Sequence, residues 1–181
     1  MTIFGENRVQ EAEPKIRGIT GARWSLVGHL QSNKAAKAVE LFDEIQSVDS
    51  MALARRLGQL AHDADQRSPQ SIYLQVNVDR DPQKHGFDPD EVPDVVAELS
   101  AVPGLRLLGL MTVGRQVSRA EDARPTFVRL RELSESVRAR EPKLGAELSM
   151  GMSGDFEVAV EEGATVVRIG SAIFGERSGA E

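Results

Sequence analysis

Residues 146–175 read AELSMGMSGDFEVAVEEGATVVRIGSAIFG, and this stretch decides the fold. Apolar and β-branched residues predict strands at 146–151 and 165–170, and the segment at 154–162 is typical of a helix. Gly163 follows that segment at the position where a glycine commonly ends a helix. Because a helical crossover returns the chain to the same end of a sheet, the two strands are expected to be parallel neighbours.

The same alternation extends back to the amino terminus. Ser50 is placed to cap a helix, and Pro93 falls in the first turn of another, where proline is tolerated. The strands are nearly all apolar, as in a parallel sheet covered on both faces. Further strands are predicted at 2–4, 24–28, 44–48, 71–78 and 105–113, and further helices at 6–17, 33–42, 50–66, 90–101 and 119–140.

Alternating strands and helices favour an α/β fold, here a (β/α)8 TIM-type barrel. A complete barrel has eight strands and typically about 250 residues. This chain has 181 residues and seven predicted strands, the first of them short. We therefore interpret residues 1–181 as a single barrel domain that is one strand–helix unit short of a complete barrel.

Composition narrows the functional classes. The formal net charge of −6 argues against a dedicated nucleic-acid-binding protein, which is usually basic. The absence of cysteine excludes disulfides, thiolate-bound zinc and a thiol nucleophile. No apolar run reaches the 18 residues that a membrane span needs, so a cytoplasmic location without membrane association is predicted.

The two loops at the end of the opening stretch predict an anion site. Ser153 lies in a glycine-rich turn and is expected to cap the following helix, where free N–H groups attract anions. Gly170 and Ser171 open a second short turn after the last strand. Loops after the last two strands of a barrel frequently form a phosphate site. Arg168, two residues before Gly170, is expected to face the barrel interior beneath the anion.

Other polar residues gather where earlier strands end. FGEN places Asn7 at this carboxyl end, and GHLQSNK (28–34) adds His29 and Lys34. The segment VNVDRDPQKHGF (76–87) suggests calcium, but its sixth loop position is Lys84 rather than glycine. The sequence contains neither a Walker A loop nor G-x-G-x-x-G, and no metal site is predicted.

Taken in order, FGENRVQEAEPKI, WSLVGHLQSNK, LQVNV, KHGF, LGLMTVG and the opening stretch resemble one family over almost the whole chain. It is the pyridoxal-phosphate homeostasis protein family, known as the YggS or PROSC type. Its fold is similar to the N-terminal barrel of alanine racemase, the type III fold of pyridoxal-phosphate enzymes. The resemblance implies a protein that binds pyridoxal 5′-phosphate (PLP) and carries or buffers it without established catalysis.

The resemblance also assigns roles by position. Ser153, Gly170 and Ser171 would hold the cofactor phosphate, Arg168 would hydrogen-bond the pyridine nitrogen, and Asn7 would lie near the ring. His29, Lys34 and Lys84 are expected as secondary contacts. PLP-dependent apo-enzymes are the implied partners, and the expected oligomeric state is a monomer or weak dimer.

In the family, a first strand and a first helix precede FGEN, and that strand carries the lysine that forms a Schiff base with the cofactor. The resemblance therefore implies that the barrel domain of residues 1–181 is incomplete at its N-terminus and lacks the first strand and helix. None of the five lysines of this chain occupies that position, so no catalytic residue is assigned and a truncated start is expected. Three alternatives stay open: an amino-acid racemase, a phosphosugar enzyme without PLP, and a non-functional fragment. The racemase is disfavoured because the only tyrosine, Tyr73, lies early in a predicted strand.

Overall fold

The computed structural model describes residues 2–64 and 68–175. Its strands are β1 (Ile3–Glu6), β2 (Arg23–Leu26), β3 (Glu44–Val48), β4 (Gln70–Gln75), β5 (Leu105–Met111), β6 (Glu147–Met152) and β7 (Val166–Arg168). Its helices are α1 (Val9–Gly18), α2 (Ala35–Leu41), α3 (Met51–Asp63), α4 (Val92–Leu99), α5 (Arg124–Arg138), α6 (Phe156–Glu161) and α7 (Ser171–Phe174). Single 3-10 turns at Ser32–Lys34, Pro89–Glu91 and Ala120–Ala123 lead into α2, α4 and α5.

The seven strands form one parallel sheet in chain order. The sheet curls into a nearly closed barrel, and no pairing joins β7 to β1 in the part of the chain that the structure describes. The α/β barrel prediction is therefore confirmed. All seven strands and the six long helical segments form where the sequence predicts them, although residues 65 and 66 of one predicted helix lie outside the described residues.

Helix packing follows the apolar spacing. Leu53 and Leu57 of α3 are buried, as are Phe127 and Leu130 of α5, and these side chains pack in one core with the outward-facing strand residues. Ser50 caps α3 by accepting a hydrogen bond from the Leu53 amide, at 3.3 Å. Among residues 2–64 and 68–175, no helix is both long and apolar enough to cross a membrane.

The barrel interior is more polar than the sequence analysis expected. Glu44 and Gln46 alternate along β3, and their exposed fractions are only 7% and 1%. Ser149 of β6 and Thr112, just after β5, are also buried. Alternate positions of a strand face the same side, so this set lines the interior. The expectation of almost wholly apolar strands is therefore wrong. The buried polar side chains are tolerated because they form hydrogen bonds with one another and with the backbone.

One predicted strand is shortened by its own loop. β4 ends at Gln75, whereas strand structure was expected to residue 78. Val76 instead forms an isolated parallel bridge with Phe87, and the Asn77 amide donates to the Phe87 carbonyl at 3.0 Å. The chain between them thus folds back against the carboxyl end of β4.

Candidate functional site

The carboxyl ends of β6 and β7 are joined through one serine hydroxyl. Ser153 Oγ accepts hydrogen bonds from the backbone amides of Gly170, at 3.2 Å, and Ala172, at 3.3 Å. The structure thus brings together Ser153 and the turn that contains Gly170 and Ser171. The anion site at these residues stays a prediction.

Ser153 does not cap α6, which corrects the prediction. α6 begins at Phe156, and Asp155 occupies the N-cap position. The Asp155 carboxylate accepts from the Met152 amide at 2.6 Å and thereby closes the turn. The Asp155 side chain makes no hydrogen bond to the first turn of α6, and the Ser153 hydroxyl reaches across to the next loop instead.

Glycines leave space above this pair of loops. A Cβ atom placed on Gly154 or Gly170 would meet no other atom within 4 Å. Gly151 serves a different purpose, because its φ is +89° and a Cβ there would lie 2.5 Å from the Ala159 side chain. The turn is therefore packed tightly against α6 at Gly151, whereas the space beside Gly154 and Gly170 is open, so that a ligand could approach the backbone closely there.

Arg168 faces the barrel interior, as predicted. Its guanidinium donates to Ser149 Oγ and to the Thr112 carbonyl, both at 2.7 Å. Burial lowers the pKa of Arg168 to about 10, while the charge of Asp155 opposes this shift. Arg168 is therefore a partly buried cation at neutral pH. Further N–H groups of the guanidinium have no acceptor among residues 2–64 and 68–175.

A chain of hydrogen bonds extends from Arg168 across the interior. Ser149 Oγ donates to Gln46 Oε1 at 2.7 Å, and Gln46 Nε2 donates to Glu44 Oε1 at 2.8 Å. Glu44 also accepts from Ser25 Oγ at 2.5 Å. Sequence analysis missed this interior network. The signal was present in EIQSV, where Glu44 and Gln46 alternate in an otherwise apolar strand.

Asn7, His29 and Lys34 line a second opening, between the ends of β1 and β2. They border a depression of about 310 Å³. Gly28 lets the two loops meet, because a Cβ there would lie 2.2 Å from the Asn7 carbonyl oxygen. The Lys34 ammonium makes no hydrogen bond or ion pair with any residue that the structure describes.

The other two predicted secondary residues have protein partners. Lys84 Nζ donates to the carbonyls of Val113, at 3.2 Å, and Gly114, at 2.7 Å, beyond the end of β5. His29 Nδ1 lies 2.9 Å from Asp49 Oδ2, and its ring stacks on His85 with 4.0 Å between ring centroids. Asp49 was not singled out from the sequence, because a single acid before a helix cap is common.

The arrangement of the strands and helices in this barrel defines a class of fold. The model of the family described as "Alanine racemase, N-terminal domain" matches residues 1–178. Alanine racemase of Clostridium difficile 630 superposes with a TM-score of 0.80 and 14% identity, covering 99% of this chain and 46% of that one. At this identity the likeness concerns the fold alone.

Closer relatives narrow the class. The pyridoxal phosphate homeostasis protein of Aquifex aeolicus is 37% identical over 179 residues, which cover 98% of this chain and 78% of that protein. The protein of the same description from Escherichia coli K12 is 38% identical, covering 96% of this chain and 75% of that one. The chain belongs to the pyridoxal phosphate homeostasis protein family.

A solved relative has been described in two states. PipY of Synechococcus elongatus PCC7942 without PLP superposes with a TM-score of 0.89 and 40% identity, covering 97% of this chain and 82% of that one. The structure of PipY with PLP bound gives a TM-score of 0.88 with 39% identity over the same shares of the two chains.

Proposed function

We propose that this chain binds PLP at the carboxyl ends of β6 and β7 and takes part in PLP homeostasis without catalysing turnover. The observation that carries the proposal is the convergence of Ser153 Oγ with the Gly170 and Ala172 amides beneath an open space. Family membership and the PLP-bound state of PipY support PLP as the phosphate-bearing ligand.

The residues present fit the cofactor phosphate. Ser153, Gly170 and Ser171 would hold it, because a serine hydroxyl and backbone amides are donors suited to a dianion. On binding, the two amides that now donate to Ser153 Oγ would donate to the phosphate oxygens, and the hydroxyl would turn to donate as well. No large rearrangement is needed, since Gly154 and Gly170 leave the space open.

Arg168 fits the pyridine nitrogen. Its guanidinium is held in place by Ser149 and Thr112, and it retains N–H donors that no described residue accepts. A fixed cation beside the pyridine nitrogen disfavours protonation of that nitrogen. An unprotonated ring is a weaker electron sink, so PLP bound here would be carried rather than activated. Asn7 is the residue proposed beside the ring.

The position of Tyr73 supports a carrier over a racemase. Tyr73 is only 2% exposed and lies inside β4, so it is not available as an acid at the carboxyl end of the barrel. Burial raises the pKa of its hydroxyl, which further disfavours proton transfer. PLP-dependent apo-enzymes as recipients, a monomeric or weakly dimeric state, and a cytoplasmic location stay predictions.

Paired titrations with PLP and pyridoxal test the proposal. PLP should bind and pyridoxal should not, because the phosphate makes the contacts that anchor the ligand. Ser153→Ala should weaken PLP binding by about 1.5–3 kcal/mol, the usual range for a hydrogen bond to a charged group, or about 10- to 150-fold in Kd. Equilibrium dialysis with absorbance detection measures both ligands.

The matched control is Ser68→Ala, because Ser68 is an exposed serine at the amino end of β4, on the opposite side of the barrel. This variant should bind PLP as the unaltered chain does. Equal affinities for PLP and pyridoxal, or equal losses in Ser153→Ala and Ser68→Ala, would show that the phosphate is not bound at this site.

A further inference from the structure

Three metal-ligating side chains meet at the carboxyl ends of β2, β3 and β4. His29 follows β2, Asp49 follows β3, and His85 lies in the loop after β4. One ligand atom from each residue lies within 4.8 Å of the others. Asp49 Oδ2 is 2.9 Å from His29 Nδ1 and 3.7 Å from His85 Nδ1. These residues belong neither to the loops that contain Ser153 and Gly170 nor to the hydrogen-bond network between Arg168 and Glu44.

The fold holds the three residues in place. Asp49 immediately precedes Ser50, the cap of α3, and its side chain is only 11% exposed. Beside His29, the Gly28 carbonyl accepts from Ser47 Oγ at 2.7 Å. This hydrogen bond from β3 holds the backbone next to His29 in place. The His29 ring faces the Asp49 carboxylate, which is also held in place by its position before α3.

The loop that presents His85 is clamped to β4. The His85 carbonyl accepts from Gln75 Nε2 at 3.0 Å, and the Phe87 amide donates to the Gln75 carbonyl at 2.8 Å. Gly86 has a φ of +129°, and a Cβ there would lie 2.6 Å from the Asn77 nitrogen. Only glycine fits this turn, which brings the His85 ring beside the His29 ring. The two rings stack at 14° to each other, so one of them must turn about its side-chain bonds for both imidazoles to direct a nitrogen at a shared ion.

We propose that His29, Asp49 and His85 form a binding site for a divalent first-row transition cation such as Zn²⁺. In a tetrahedral site with ligand distances near 2.0–2.1 Å, ligand atoms lie about 3.4 Å apart. The observed 2.9 and 3.7 Å bracket that separation. Two imidazoles and one carboxylate suit Zn²⁺, Co²⁺, Ni²⁺ or Cu²⁺ rather than Mg²⁺ or Ca²⁺.

Exposure and charge are consistent with an accessible site. The side chains of His29 and His85 are 44% and 61% exposed, so a cation can approach without unfolding, and a water can complete the coordination. Asp49 supplies the negative charge. Lys34 and Arg8 line the neighbouring depression with His29 and reduce the attraction. The affinity should therefore be moderate.

Calorimetric titration of Zn²⁺ into the tag-free chain tests this site. One ion should bind per chain. His85→Gln and Asp49→Asn should each raise the Kd for Zn²⁺ more than about a hundredfold. Loss of a residue that only hydrogen-bonds to a metal ligand costs about ten- to hundredfold in affinity, and each of these variants removes a direct ligand. His62→Gln is the matched control, since His62 is the only other histidine of the chain and is exposed in α3. This control should bind Zn²⁺ as the unaltered chain does.

A second measurement uses the unaltered chain alone and needs no variant. In the unaltered chain, one equivalent of Zn²⁺ should shift the imidazole NMR signals of His29 and His85 and leave those of His62 in place. Absence of saturable binding, binding that His85→Gln and Asp49→Asn leave unchanged, or an equal shift of all three histidines would overturn the proposal. These outcomes are independent of PLP binding.

Discussion

Ser149→Ala should be among the most destabilising single changes in the barrel interior. Ser149 is fully buried. Its Oγ accepts a hydrogen bond from the Arg168 guanidinium at 2.7 Å and donates one to Gln46 Oε1 at 2.7 Å. Alanine removes both hydrogen bonds at once. It also leaves the partly buried Arg168 guanidinium short of an acceptor and the buried Gln46 amide oxygen without its donor.

The magnitude follows from these two losses. A hydrogen bond to a charged group contributes about 1.5–3 kcal/mol, and a neutral one about 1 kcal/mol. The expected decrease in the free energy of unfolding is therefore about 2.5–4 kcal/mol. A domain of this kind is stable by only about 5–15 kcal/mol, so the loss is readily measured.

Urea unfolding followed by tryptophan fluorescence is the assay. The chain contains a single tryptophan, Trp24, which is 3% exposed and stacks on Phe4 of the neighbouring strand. Its emission therefore reports the opening of the barrel. The unfolding midpoint should fall while the dependence of the free energy on urea stays the same, because the surface exposed on unfolding is unchanged.

Ser100→Ala provides the comparison. Ser100 Oγ donates a single neutral hydrogen bond to the Val96 carbonyl at the end of α4, at 2.9 Å. Its removal should cost about 0.5–1.5 kcal/mol. If Ser149→Ala costs no more than Ser100→Ala, Arg168 is not held by Ser149, and the account of a fixed interior cation is refuted.

Two further changes test other parts of the account. Arg168→Gln keeps a hydrogen-bond donor but removes the charge, so the variant should bind PLP less tightly. The absorbance spectrum of bound PLP should also shift, because the ring nitrogen becomes easier to protonate. An unchanged spectrum and Kd would place Arg168 away from the ring. Arg124 and Arg131 hold the pKa of Glu162 below its usual value, so this contribution to stability is complete above about pH 4.5 and is lost as the pH falls through the lowered pKa. In Arg124→Met, the thermal unfolding midpoint should therefore decrease less between neutral pH and pH 3 than in the unaltered chain, and an equal decrease in both would argue against this ion pair.

The order of strands and helices could be predicted because the apolar patterns are local. EIQSV was predicted as a strand at 44–48, and β3 has those bounds. Strand ends that depend on tertiary pairing could not be predicted. β4 stops at Gln75 because Val76 pairs with Phe87, a contact that spans a loop and leaves no periodic signal.

The candidate site was predictable only where a motif determines it. Ser153 and the turn at Gly170 could be identified from glycine spacing, but the cap of α6 was assigned to Ser153 rather than Asp155. Asp155 stands at the N-cap position, but its carboxylate binds the Met152 amide rather than the first turn of α6, and residue spacing alone does not determine this turn geometry. Asp49 and His85 are far apart in sequence, and the barrel alone brings them together.

A crystal structure of this chain with PLP tests the central claim most directly. The account predicts phosphate density beside Ser153 Oγ and the amides of Gly170 to Ala172, with the pyridine nitrogen against the Arg168 guanidinium. PLP found only in the depression beside Asn7 and Lys34, or absent from crystals grown at saturating PLP, would contradict it.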